Sequence, residues 1–569
     1  MIVMGQGIMG PTSSQQASRW PELGRRLNPF VWTLIWILAV ALAALVHLAF
    51  FVKWPDHFIH EDSAAYLSEA QSILTGHYAD DNGVRPYGVP FFLALLSKLF
   101  SPNILVFATA QHVLSIVSAL LIAASIRLGG APRIFALLAF LLASLYARTV
   151  HYDNTIGGET ISVFLTSVAV FMAASAAFRG WPPLPFAVGI GVCLGTLMLC
   201  RSAAFGTAAV IILWTATMVS RRWIGRLGIL TLIGGIVVGV YLTPTLINGM
   251  IGKPPNGTEA LPAMSFPVAY SGDFDHGVHL DRKERARKFV NEKRAAETRT
   301  GWADAGEYQW PLDIIEMMRE PNETRADIEK VMRDIFIETL TTPSTLWRHL
   351  SHHFLREMFF LLFDGNNTAR RASTPEGYYA SFTHRDAFPF FHSPTDLKSE
   401  RLVYDNYAPP RALSWILPSA DKLQAVLDEL FSRGYAPGYD PEPFCCGLTI
   451  SNEYDFRSGP ICWLSGSGLI LVILLLVNGR RFGSLSPLPG NLVSVGVLMI
   501  AVALANAAAP AFLVYGFNRY GYYVAPFMAG ATGVLGAVLF VWIWPLAVGR
   551  RPVVTAGDPP MARVEGRQA

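Results

Sequence analysis

Ten stretches of this chain carry no Asp, Glu, Lys or Arg: 31–51, 104–126, 134–147, 160–178, 184–200, 203–219, 229–246, 464–477, 492–514 and 524–548. About 20 such residues in a row cross a bilayer as a helix. Hydrocarbon offers no partner to backbone N–H and C=O groups, so a chain built this way folds as a bundle of helices. Arginines recur at every second junction: Arg25-Arg26, Arg127 and Arg133, Arg179, Arg221-Arg222, Arg480-Arg481 and Arg550-Arg551. The positive-inside rule makes those junctions cytoplasmic. Both termini then lie in the cytoplasm, and Asp62, Arg85, Glu159, Arg201, the region from 247 to 462 and Arg519 all lie on the other side. One topology gathers the conspicuous polar residues on a single membrane face, the pattern of a membrane enzyme whose active site is extracytoplasmic.

Composition agrees. The 569 residues are 52% hydrophobic and 15% charged, with a mean hydropathy of +0.35. The formal charge of +3 comes from Lys and Arg that set orientation in short turns, which excludes a nucleic-acid partner. The run 31–51 is too long for the core of a signal peptide, and no small-x-small cleavage site follows it, so it reads as a retained first span. The stretches 134–147 and 464–477 are shorter than a bilayer and must thin it or pack inside the bundle. Gly189, Gly191, Gly195, Gly235 and Gly239 have the small-residue spacing that lets helices approach closely. Cys193 and Cys200 read as packing residues, whereas Cys445, Cys446 and Cys462 face an oxidising compartment, where Cys462 either bridges to one of the vicinal pair or stays free.

The organisation expected is a leader at 1–30, a membrane module at 31–250 with a first catalytic loop at 53–103, an extracytoplasmic domain at 251–462, further spans at 463–548 and a cytoplasmic tail at 549–569. Within the first loop, 63–74 is amphipathic and 89–100 apolar, two helices suited to lying along the membrane surface. In the long domain, 281–294 reads as a solvated helix and Thr324 with Asp327 as a capping box opening the next. The segment 347–363 is a more apolar helix leaning on membrane or bundle, and 364–460 reads as irregular, ordered loop.

The first loop carries His60-Glu61-Asp62, Tyr66, then Arg85-Pro86-Tyr87-Gly88. Asp62 is either a solvated carboxylate favoured at a helix N-terminus or a base or metal ligand at the membrane surface, with Arg85 an anion clamp. His151 and Asp153, ahead of Glu159, either extend a site or form a polar turn. Arg201 and Arg519 either snorkel or serve function, since charge near a span end in an apolar bundle is expensive. His349, His352, His353 and Glu357 have i, i+4 relations open to a metal or to interfacial packing.

The order Asp-x-x-x-Tyr after a first span, Gly-x-Tyr, Arg-Pro-x-Gly-x-Pro entering an apolar helix, then Gly158-Glu159 and Cys200-Arg201-Ser202, resembles the GT-C glycosyltransferases. Lipid A aminoarabinose transferases and protein O-mannosyltransferases are the relatives in style. The likeness covers about the first 250 residues; beyond them it is architectural only. It implies an all-α polytopic GT-C bundle of about ten or more spans, with extracytoplasmic juxtamembrane helices and a mixed extracytoplasmic domain. It implies an inverting transfer of sugar from a polyprenyl-phosphate donor to a hydroxyl of a glycan, glycolipid or protein, at the outer face of a bacterial inner membrane.

Carried over by position, Asp62 and Glu159 become the catalytic acids, with Mg²⁺ or Mn²⁺ held between them or dispensed with, since Arg85 balances phosphate charge. Arg85 and Tyr66 become donor-phosphate contacts, with Arg201 and Arg519 as candidate substitutes for a missing basic contact, and His60, Glu61, Tyr87, His151 and Asp153 are assigned to the substrate site. Ala65 stands where lipid A-modifying relatives carry a basic residue, and Ser202 where the family has Pro, which puts a phosphate contact and a lipid A acceptor in question. The rival is a transporter or flippase of a lipid-linked sugar. It calls for polar residues near the midplane and repeated halves, and the sequence offers neither.

Overall fold

A computed structural model describes residues 28–53, 61–76, 87–100, 104–146, 149–150, 153, 156–179, 183–220, 222–250, 260–300, 309–355, 357–358, 490–513 and 521–547. Every regular element among them is helical. The membrane part runs α1 (Pro29–Lys53), α2 (Glu61–Thr75), α3 (Gly88–Leu99), α4 (Ile104–Leu128), α5 (Arg133–Ser144), α6 (Glu159–Arg179), α7 (Pro183–Cys200), α8 (Phe205–Val219) and α9 (Trp223–Met250). A second group follows: α10 (Ala260–Ser271), α11 (Leu280–Thr300), α12 (Gln309–Met318), α13 (Arg325–Thr341) and α14 (Pro343–Arg348), which passes into a π-helical turn, His349–Phe354. The helices α15 (Gly490–Leu513) and α16 (Gly521–Ala547) return to the bundle.

Six described segments are long and apolar enough to cross a membrane: Pro29–Leu48, Val106–Leu128, Glu159–Arg179, Trp223–Ile247, Asn491–Phe512 and Tyr523–Phe540. The chain is an integral multi-pass membrane protein. Three expected spans, 134–147, 184–200 and 203–219, coincide with the shorter helices α5, α7 and α8, so among the described residues six segments, not ten, are long enough to span. They are lodged among longer partners: α5 packs on α16 and α4, α7 on α9 and α6, α8 on α15. The expected span at 464–477, the loop at 364–460 and Cys445, Cys446 and Cys462 lie outside the described residues.

Each of the six long membrane segments is apolar all round, and burial divides its faces. On α1 the inner stripe is Ala39, Ala43 and His47, at i, i+4 and i+8, while Leu34, Ile37, Leu38, Leu42, Leu45 and Leu48 are exposed, as a lipid-facing surface must be. Small residues set the closest approaches. A Cβ on Gly191 would meet Ile236 of α9 at 2.8 Å, and one on Gly195 would meet Val240 at 2.6 Å. Gly189 faces Met172 of α6 in the same way. The packing expectation fails for Gly235 and Gly239, which have no atom within 4 Å of such a Cβ and occupy the side of α9 away from α7.

The second group has its own core of Phe266, Val268, Phe274, Ala286, Val290, Ile314, Met318, Ile328 and Ile335. The expected capping box is present: Thr324 Oγ1 accepts from the Asp327 backbone N–H, and the Asp327 carboxylate accepts from the Thr324 N–H at 3.0 Å. Polar links tie the helices. Arg282 donates bidentately to Glu323 at 2.8 and 3.1 Å and holds that carboxyl below its usual range. Arg294 donates to the carbonyls of Ala269, Val268 and Gly272, closing the C-terminus of α10. The domain expected to be mixed is helical in all its described elements.

Candidate functional site

The site is built where α3, α6 and α7 meet. Gly88 opens α3 three residues after Arg85, Gly158 immediately precedes Glu159, and Cys200-Arg201 ends α7. A Cβ on Gly88 would stand 2.5 Å from Cys200 Sγ and 2.6 Å from Cys200 N; one on Gly158 would stand 3.2 Å from both Cys200 O and Val89 Cγ2. Three motifs distant in sequence therefore share one backbone junction. An apolar cluster seals it: Tyr66 and Leu67 of α2, Val89 and Leu93 of α3, Phe107 of α4, Ile156, Ile161 and Cys200.

Glu159 is the first residue of α6, where a carboxylate is favoured by the helix dipole, and it is 7% exposed. Its carboxylate folds back over Gly157, in space that any side chain there would take. Arg201 is half-buried, its guanidinium 3.4 Å from the centroid of the Tyr523 ring at the start of α16. Tyr523 is held in turn: Asn506 of α15 donates to its carbonyl at 3.1 Å and accepts from Thr207 of α8 at 2.6 Å.

Asp153 is wholly buried. Its Oδ1 accepts from Thr160 Oγ1 at 2.8 Å, and Gln111 of α4 donates to the same hydroxyl at 3.4 Å. Its Oδ2 faces two imidazoles, 3.6 Å from Nδ1 of His47 and 3.8 Å from Nδ1 of His112. Neither histidine figures among the expected site residues. The signal was available: an ionisable residue inside a membrane helix is a functional candidate by default. What the sequence lacks is the pairing, since His47 and His112 are 65 residues apart.

The remaining expected residues divide clearly. Asp62 and Glu61 fall in the first turn of α2, one turn before buried Tyr66, and their side chains are outside the described set. Tyr87 directly precedes α3, makes no side-chain capping bond and is half-buried. His60, Arg85, His151 and Arg519 lie outside the described residues. The metal reading at 349–357 does not survive. His349 spends one ring nitrogen on Ser271 Oγ at 3.3 Å and the other on the Phe512 carbonyl at 2.9 Å, His353 stacks on Tyr270, and His352 is paired to Ser351.

No family model matches this chain, and no curated protein is similar to it. Among solved structures, the apo oligosaccharyltransferase of Archaeoglobus fulgidus is similar at 12% identity and a TM-score of 0.38, over 91% of this chain and 52% of that one. The Archaeoglobus fulgidus oligosaccharyltransferase AglB, in complex with an inhibitory peptide and a dolichol-phosphate, is similar at 13% identity and a TM-score of 0.36, over the same shares. This chain thus spans about half the length of those structures, and a superposition that loose leaves the chemistry to be argued from residues.

Proposed function

We propose that the chain is a GT-C membrane glycosyltransferase that transfers a sugar from a polyprenyl-phosphate donor to a hydroxyl on the extracytoplasmic side of a bacterial inner membrane. The observation that carries this reading is the junction of Gly88, Gly158 and Cys200. It packs Gly88, three residues after Arg85 in sequence, against Cys200, the neighbour of Arg201, and Cys200 in turn against Gly158, the neighbour of Glu159.

In this reaction Asp62 takes the proton of the acceptor hydroxyl as its oxygen attacks the anomeric carbon, and the bond from that carbon to the phosphate oxygen breaks. The lipid phosphate leaves with the bonding pair, and Arg85 and Arg201 balance its growing charge. A single displacement inverts the anomeric centre. A Mg²⁺ or Mn²⁺, were one bound, would be held by Asp62 and Glu159 and would add to the balance of phosphate charge. Tyr66 and Tyr87 shape the walls around the site.

The roles separate by mutation. Asp62→Asn keeps shape and loses the base, so turnover should fall by ~10²–10⁴-fold or more with donor affinity nearly unchanged. Arg85→Ala should weaken both donor binding and rate. Turnover and polyprenyl-phosphate-sugar affinity measured on both variants decide it: normal turnover by Asp62→Asn excludes the mechanism, and unaltered donor affinity in Arg85→Ala removes the clamp.

A further inference from the structure

The three atoms His47 Nδ1, His112 Nδ1 and Asp153 Oδ2 stand 2.9, 3.6 and 3.8 Å apart, on residues 2, 6 and 0% exposed. From these three edges, a point in their plane lies about 2.0 Å from each atom, the length of Zn–N and Zn–O bonds at ~2.0–2.2 Å. We infer that His47, His112 and Asp153 form a binding site for a divalent transition cation of the Zn²⁺ type, which pins α1 and α4 to the turn before α6.

The 2.9 Å contact between the two Nδ1 atoms is also a hydrogen-bond distance, so the cation would replace a proton shared between the rings, and the surroundings orient all three groups for it. His47 Nε2 lies 2.9 Å from the Ser144 carbonyl, which fixes the N–H on that nitrogen and turns the Nδ1 lone pair inward, the usual outer-shell arrangement of a metal-bound histidine. The ring planes of His47 and His112 are perpendicular, at 89°, so the two Nδ1 atoms converge edge to edge. Asp153 is oriented by Thr160 through its other oxygen. Two imidazoles and one carboxylate suit a borderline cation; Mg²⁺ and Ca²⁺ take all-oxygen shells.

The consequence is mechanical. Outside this cluster α1 is mainly lipid-facing, and a cation tying His47 to α4 and α6 anchors a helix that the bundle otherwise grips weakly. Through Asp153 and Thr160 the same tie sets the first turn of α6, where Glu159 begins the helix. This inference does not depend on which donor or acceptor the protein uses.

The test takes the full chain in detergent micelles, free of any polyhistidine tag, stripped with a chelator and titrated with Zn²⁺ against a chromophoric competitor. One Zn²⁺ per chain is expected, together with a rise in melting temperature on loading. His47→Ala and His112→Ala should weaken affinity at least ~10-fold and abolish that rise. Should the alanine variants not fold, Asp153→Asn, near-isosteric and still able to accept from Thr160, must show the weakening. Wild-type protein that takes up no Zn²⁺, or folded variants that bind it with unchanged affinity, would overturn the site.

Discussion

At the scale of single residues, the narrowest constraint on the candidate site is steric. Gly88 has no room for a methyl group, because Cys200 Sγ and the Cys200 and Leu199 backbone stand within 2.7 Å of where it would be. Gly88→Ala must therefore push α3 away from α7, a displacement that costs about 1–3 kcal/mol in a packed interior. Lower melting temperature and slower transfer are expected together. Cys200→Ala in the same chain relieves only the Sγ contact, so its rescue should be partial. Gly206→Ala is the control, since its nearest neighbours stand at 3.8 and 3.9 Å; a Gly88→Ala protein as stable and active as that control would show that the junction is not tight. The residues of the junction were legible in sequence because each carries an unusual side chain or glycine at a span boundary. His47 and His112 were not, since each sits alone in an apolar run and acquires meaning only across 65 residues of chain.

At the scale of elements, local signals were read well and interrupted ones poorly. The helices expected at 63–74 and 89–100 appear as α2 and α3, and the capping box opens α13 at the expected residue. The helix α10 escaped notice because Pro267 lies inside it, a residue that ordinarily ends a helix. The π-turn after α14 has no sequence signature, and it turns His349 and His353 into the contact between α10 and α15. That contact should weaken in acid. Burial lowers the His349 pKa to about 4, from an ordinary 6.5. Its neutral ring bonds Ser271 and the Phe512 carbonyl, with His353 beside it at 5.2 Å. Between those two pKa values an undocked His349 binds more protons than the docked one, so docking is fully stable above about pH 6.5 and weakens as pH falls toward 4. Protection factors for backbone hydrogen exchange across the segment from Pro343 to Phe354, taken relative to the intrinsic rate at each pH, should fall between pH 7 and 4.5. His349→Asn, which does not titrate, should flatten that profile; an unchanged profile would assign the sensitivity to other groups.

At the scale of the whole molecule, charge separates along the bundle axis. Arg127, Arg133 and Arg179 line a cavity of about 710 Å³ with Trp32, Trp36 and Phe171, at the end where α1 and α5 begin and α4 and α6 finish. His47, His112, Asp153, Glu159 and Arg201 lie at the opposite ends of those helices and of α7. This basic cavity is therefore not where the candidate chemistry is. Only the positive-inside rule says which end meets the cytoplasm, so orientation is the expectation to test. Single cysteines placed at Asp80 and Asp440 should react with a membrane-impermeant thiol reagent in intact cells, while one at Ser220, beside Arg221-Arg222, should react only after permeabilisation. The native cysteines must first be removed, with Cys200→Ala the substitution to watch because Gly88 packs on its sulfur. Labelling at Ser220 with silence at Asp80 would invert the molecule. A polyprenyl-phosphate donor would then have to be met on the cytoplasmic side, and the proposed transfer to an extracytoplasmic acceptor would fall with it.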